Sequence, residues 1–260
     1  MGAGVRRTDE AFLLLHGSAM TGAMWRLHRG HLETTHACFT PDRFAHGVTP
    51  LREELRPETL LPAQVDALIA YVGETPRLHV VGHSFGGVVA LEFALRVPER
   101  VASLCLIEPV VFALLETMGR RDLLDDVSRC EDAAFEALRQ DDSATAARLF
   151  VDYWHGSGFW DRLPDLYRAP LIRMARVLLE VEVRANRHAT LAPEALSRLT
   201  MPVLVLAGGQ SPAPAREVSR GLAALIPNAT FEVFEAAGHH LPSTHARAFI
   251  ERLRGFVSMI

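Results

Sequence analysis

The stretch Gly82-His83-Ser84-Phe85-Gly86 holds a serine in a place where its hydroxyl could act as a nucleophile. The apolar run Leu78–Val81 before it reads as a buried strand, and Val88–Val97 after it reads as a helix stopped by Pro98. Only a few residues lie between, so the chain must turn sharply at Ser84, and glycine two residues either side removes the Cβ atoms that would collide there. Such a turn lifts the Ser84 hydroxyl above the sheet edge and aims the Phe85 N–H, at a helix N-terminus, toward developing negative charge. A serine hydroxyl needs a base to become nucleophilic. Gly238-His239-His240, after the last apolar run, offers two adjacent candidates. The base in turn needs an acceptor on its second ring nitrogen. Glu108 follows the apolar run Val101–Ile107 and precedes Pro109. A carboxylate at the C-terminal end of a parallel strand lies on the face where open α/β sheets hold their ligands, although a strand-end glutamate can equally be a solvated residue.

The elements that must position these groups alternate along the chain. Strands are expected at Phe12–Leu15, Ala37–Asp42, Leu78–Val81, Val101–Ile107, Pro202–Gly209 and Thr230–Phe234, with helices at Leu60–Val72 and about Ser243–Phe256. From about Val110 to Ala192 the pattern is helical without a strand, including Asp122–Gln140, Ala144–Tyr153 and Leu163–Arg187. The fold class is therefore α/β, with a mostly parallel central sheet of about six strands flanked by helices. With 260 residues, 49% of them hydrophobic, the chain can bury a large core as one domain with an insertion.

Three landmarks stand in the order found in α/β-hydrolase-fold serine hydrolases: His16-Gly17, the Ser84 turn, and Gly238-His239. The chain resembles that family, of the esterase and lipase kind, over nearly its whole length. The resemblance implies a reduced N-terminal hairpin, since about ten residues precede the first strand. It also implies a core of residues 1–109 and 193–260 carrying a helical cap, or lid, of residues 110–192. It favours His239 over His240 as the base and places the second oxyanion N–H on Ser18, the residue after His16-Gly17, beside that of Phe85. The family's usual acid position, after the strand ending at Gly208-Gly209, is occupied here by Ser211. No carboxylate follows until Glu217, so Glu108, at a position some relatives use, is the expected acid. Asp42–Gly47 resembles the family's Asp-x-x-Gly-x-Gly turn imperfectly, and Asp42 reads as a loop-fixing residue. His16 reads as a structural loop histidine.

What this implies is hydrolysis of an ester-type bond of a small, fairly hydrophobic substrate through an acyl-serine: Ser84 as nucleophile, His239 as base and Glu108 as acid. Thioester and lactone substrates stay open, as do a non-hydrolytic cyclase or lyase and a slow-turnover small-molecule receptor on the same fold. Trp25 is packing or pocket. Trp154, Phe159, Trp160 and His240 line a pocket, or the aromatics fasten cap to core. No cofactor and no metal are expected, because the twelve histidines show no local ligand spacing. The net charge of −4 argues against a nucleic-acid partner, and no apolar run approaches membrane-spanning length. Cys38, Cys105 and Cys130 form no Cys-x-x-Cys pair, and the first two read as buried thiols, which together with the polar opening residues points to a cytoplasmic protein; whether it is a monomer or a homodimer is left open by the sequence.

Overall fold

The computed structural model describes residues 9–189 and 192–260. The opening residues Met1–Thr8, expected to lack a leader segment, and Thr190–Leu191 of the helical stretch lie outside the described residues. Six strands form one sheet: β1 (Glu10–Leu15), β2 (Ala37–Phe39), β3 (Arg77–His83), β4 (Val101–Ile107), β5 (Val203–Gly208) and β6 (Ala229–Phe234). Their order is β2-β1-β3-β4-β5-β6, and every neighbouring pair is parallel. The strand order reverses beside β1, so the C-terminal ends of β1 and β3 flank a crevice of the kind in which open α/β sheets bind ligands.

The apolar runs are explained by burial on both faces. Alternate residues go to opposite sides of the sheet. Leu13, Val80, Leu104 and Val205 join one core cluster with α2 (Pro57–Val72), α3 (Phe85–Arg96) and α11 (Ala213–Leu225). Leu14, Val81, Cys105 and Leu206 join the other with the C-terminal helix α13 (Ala246–Val257). Trp25, fully buried at the start of α1 (Arg26–Leu32), belongs to this second cluster, its ring 6.2 Å from that of Phe249. It packs in the core and does not line the cavity over Ser84. The short helix α12 (Leu241–Thr244) precedes α13, so the expected closing helix is broken at His245.

Between β4 and β5 runs a helical segment: α4 (Ala113–Thr117), α5 (Arg121–Arg139), α6 (Ser143–His155), α7 (Phe159–Arg162), α8 (Asp165–Val177), a π-helical turn at Leu178–Val183, α9 (Arg184–His188) and α10 (Pro193–Leu196). It has its own apolar cluster, including Leu138, Val151, Trp160 and Leu179. Helix α6 runs past the expected end at Tyr153, so that Trp154 and His155 belong to its last turn. The loop is only Gly156–Gly158, where positive φ at both glycines stops the helix.

Cys105 is buried, whereas Cys38 is only half-buried on the edge strand β2, and no cysteine is paired. Burial pushes the Cys38 and Cys130 thiols up to about 12, so both stay protonated. No helix among the described residues is long and apolar enough to cross a membrane.

Candidate active site

The turn after β3 is as tight as the sequence requires. Ser84 has φ 56° and ψ −124°, a conformation that L side chains rarely adopt. A Cβ on Gly86 would lie within 2.5 Å of the Leu15 carbonyl oxygen, and one on Gly82 would lie 2.7 Å from the Ala90 Cβ. The glycines thus let β3, α3 and the end of β1 approach one another with Ser84 at the apex. Its amide donates to the Ile107 carbonyl at 3.0 Å, tying the turn to β4.

Ser84, His239 and Glu108 come together although 24 and 131 residues separate Glu108 from its two partners. The Ser84 Oγ lies 3.0 Å from His239 Nε2, and His239 Nδ1 lies 2.6 Å from Glu108 Oε2. With an ionised carboxylate, Nδ1–H donates to Glu108, and Nε2 is left to accept from the serine hydroxyl. Glu108 is fully buried, and its second oxygen accepts the Gly208 N–H at 2.6 Å. It too holds a left-handed backbone, φ 44°, which turns the chain from β4 into Pro109. Ser211, three residues after Gly208, is buried and its hydroxyl has no hydrogen-bond partner among the described residues, and Glu217 pairs with Arg120 at 3.3 Å.

His83 was not singled out by sequence, yet its Nε2 donates to the His239 carbonyl at 2.8 Å and holds the loop that carries His239. Burial, and then the neighbouring His239 and His240 rings, push His83 well below the ordinary histidine range, so its ring stays neutral. The position offered a signal only in hindsight: it is the residue before the nucleophile candidate, pointing off the other side of the turn.

The loop after β1 packs directly on Ser84, since a Cβ on Gly17 would come within 3.2 Å of the Ser84 Cβ. His16 is structural: Nδ1 lies 2.8 Å from the Gly17 carbonyl, and Nε2 accepts the Arg43 amide at 3.0 Å. Asp42 fixes its own loop through the Gly22 and Val48 amides. His46 accepts the Ala19 amide at 3.1 Å, which steadies Ala19 at φ 57°. Arg43 and Glu182, both buried, form an ion pair at 2.5 Å between this loop and the π-helical turn. Burial works to raise the Glu182 carboxyl, but Arg43 and His46 overcome it and hold the group below its ordinary value. Arg43, His46 and Glu182 escaped the sequence reading because their partners are remote in the chain.

A cavity of about 260 Å³ opens over Ser84, between the sheet and the helical segment. Ser18, Trp154, His155, Phe159 and His240 line it, while Trp160 packs instead among the helices. The Trp154 ring stacks on His239 with centroids 4.0 Å apart. Burial pushes His155 down to about 4 and His240 to about 3, so both pocket histidines are neutral at pH 7. Behind Trp154 lies a second chamber of about 30 Å³, also reaching Ser84 and lined by Glu131, Glu182 and Asn186.

Known proteins bear on this arrangement. A pimeloyl-[acyl-carrier protein] methyl ester esterase from Aliivibrio salmonicida is 27% identical over 94% of this chain and 91% of its own. Lipase LipV of Mycobacterium tuberculosis is 34% identical over 54% of this chain and 52% of its own. Among solved structures, MenH from S. aureus superposes with a TM-score of 0.73 at 18% identity, covering 99% of this chain and 97% of that one, which bears on fold alone. The profile of the alpha/beta hydrolase family matches residues 12–252, spanning the sheet, the Ser84 turn and the His239 loop, and the chain belongs to that family.

Proposed function

We propose that this protein is a serine hydrolase that cleaves an ester bond of a small, uncharged and fairly hydrophobic substrate through an acyl-Ser84 intermediate. That it is a hydrolase acting on esters rests on its family and on its esterase and lipase relatives. The acyl-serine route rests on one observation, the hydrogen-bonded chain Ser84–His239–Glu108.

In this reading His239 Nε2 takes the Ser84 proton as Oγ attacks the ester carbonyl, and then gives it to the leaving alcohol. Glu108 holds the Nδ1–H tautomer and stabilises the imidazolium. The Phe85 and Ser18 amides hold the oxyanion. A water, deprotonated by the same histidine, releases the acid. Residues 110–192 act as the lid. The aromatic walls and neutral histidines of the 260 Å³ cavity favour an uncharged group of modest size.

The test is a burst and steady-state assay with p-nitrophenyl esters of graded chain length, on wild type and Ser84→Ala. A burst and turnover that vanish in Ser84→Ala, with short acyl groups preferred, are expected. Turnover that survives the substitution, or no turnover of any ester by folded protein, would overturn the proposal.

A further inference from the structure

At the other end of the sheet from Ser84, three buried side chains converge that the proposed chemistry does not use. Glu10 begins β1, His36 stands immediately before β2, and His79 lies on β3. Parallel pairing sets Phe12 beside His79 and Ala11 beside Ala37, which brings the three residues to one corner. Glu10 Oε2 lies 3.5 Å from His79 Nε2 and 4.0 Å from His36 Nε2, and all three atoms fall within 4.8 Å of one another. The two imidazole rings stand at 89° with centroids 5.5 Å apart, so their Nε2 atoms approach a common point from different directions.

The surroundings are those of a ligand set. His79 Nδ1 is hydrogen-bonded to the Ser103 hydroxyl at 2.8 Å, and His36 Nδ1 to the Thr35 hydroxyl at 2.9 Å. Both rings are thereby oriented through the nitrogen that does not face the cluster, as the outer partners of metal-bound histidines do. The Phe12 ring packs on both, at 5.3 and 5.1 Å, and supplies an apolar wall. Arg77 stands 3.6 Å from the second Glu10 oxygen but is half-exposed, and can swing into solvent.

We propose that Glu10, His36 and His79 form a binding site for one divalent transition-metal ion, with Zn²⁺ the first choice, that ties β1, β2 and β3 together away from Ser84. Two imidazole nitrogens and one carboxylate oxygen suit zinc, leaving a fourth position for water. Bonds of about 2.0–2.1 Å in a tetrahedron place ligand atoms about 3.3 Å apart. The Glu10–His79 separation already matches that spacing, the Glu10–His36 one must close by about 0.7 Å, and no pair must close by more than about 1.5 Å.

The experiment uses untagged full-length protein, stripped with a chelator and titrated with Zn²⁺ and Co²⁺. Expected are one Co²⁺ per chain with the strong visible absorption of a four-coordinate site, and a Tm raised by about 5 °C at a hundredfold excess of Zn²⁺ over its Kd. Both signals should disappear in His36→Gln and in Glu10→Gln. Retention of no ion at micromolar free Zn²⁺, or equal binding by wild type and both variants, would overturn the proposal. In the latter case the ion sits elsewhere, the His155–His240 pair of the cavity being the obvious competitor. Should the variants fail to fold, anomalous scattering at the zinc edge from wild-type crystals decides. A peak among the three residues supports the site, and a peak only elsewhere, or none, refutes it.

Discussion

Glu108 stands at the end of β4, not after β5 where an aspartate would ordinarily be sought, and its surroundings show how it reaches His239. The left-handed φ at Glu108 turns the chain out of β4, and the extra methylene of glutamate carries the carboxylate toward the His239 loop. One oxygen meets His239 and the other is held by the Gly208 amide, so both acceptor positions are used by fixed donors. Glu108→Gln keeps the size but replaces one oxygen with a donor and, in the proposed mechanism, removes the charge that would steady the imidazolium. Turnover should fall by about a thousandfold or more, with the fold retained by circular dichroism. Turnover within tenfold of wild type would remove Glu108 from the catalytic chain. The residues could be picked out from sequence because a Gly-x-Ser-x-Gly turn and a Gly-His loop are local patterns. Glu108 was picked out by its place at a strand end. Nothing local marked His83, whose only visible duty is to hold a carbonyl 156 residues away.

Helix α6 delivers Trp154 to the site from its last turn. Its indole stacks on His239 and forms the wall between the main cavity and the chamber behind it. The helical pattern in the sequence stops at Tyr153, but the helix ends only at Gly156, after His155. Helix ends are set by the residue that can take a positive φ, and a cluster of aromatics before it says nothing about where the last turn stops. Trp154→Ala should join the two spaces and remove the stacking partner of His239. The preferred p-nitrophenyl ester should lengthen, and kcat on the shortest substrates should drop about tenfold, the scale of a lost aromatic pair. An unchanged chain-length profile would show that Trp154 does not size the pocket.

For the whole molecule, the buried histidines set a pH dependence. Among the described residues His16, His28, His46, His79, His83, His155 and His240 are all pushed below the ordinary value, in every case chiefly by burial. In the unfolded chain each takes a proton near pH 6.5. In the folded chain His79 and His155 wait until about 4 and His240 until about 3. Below pH 6.5 the unfolded state therefore binds more protons, and stability is complete above that pH and lost as it falls toward 4. The Tm at pH 5 should lie at least about 5 °C below that at pH 7.5. A Tm that is flat over this range would mean that these rings are more hydrated than the structure shows.

Local pattern determined a good deal of this protein by itself. Continuous apolar runs announced the strands of a sheet buried on both faces, and β4 begins and ends where its run does. The helices of residues 110–192 followed from their periodicity, and Ser84 from the glycines that its turn demands. The tertiary structure alone decided what depends on separation across the sheet. It brings His239 to Ser84, seats Trp25 in the core and Trp154 over the reacting groups, and props the loop after β1 with Arg43, His46 and a glutamate from a distant helix. It also gathers Glu10 of β1, His36 just before β2 and His79 of β3, which no spacing along the chain could reveal. Periodicity and turn chemistry are properties of neighbours in sequence. A site is a property of neighbours in space, and parallel crossovers place those neighbours tens of residues apart.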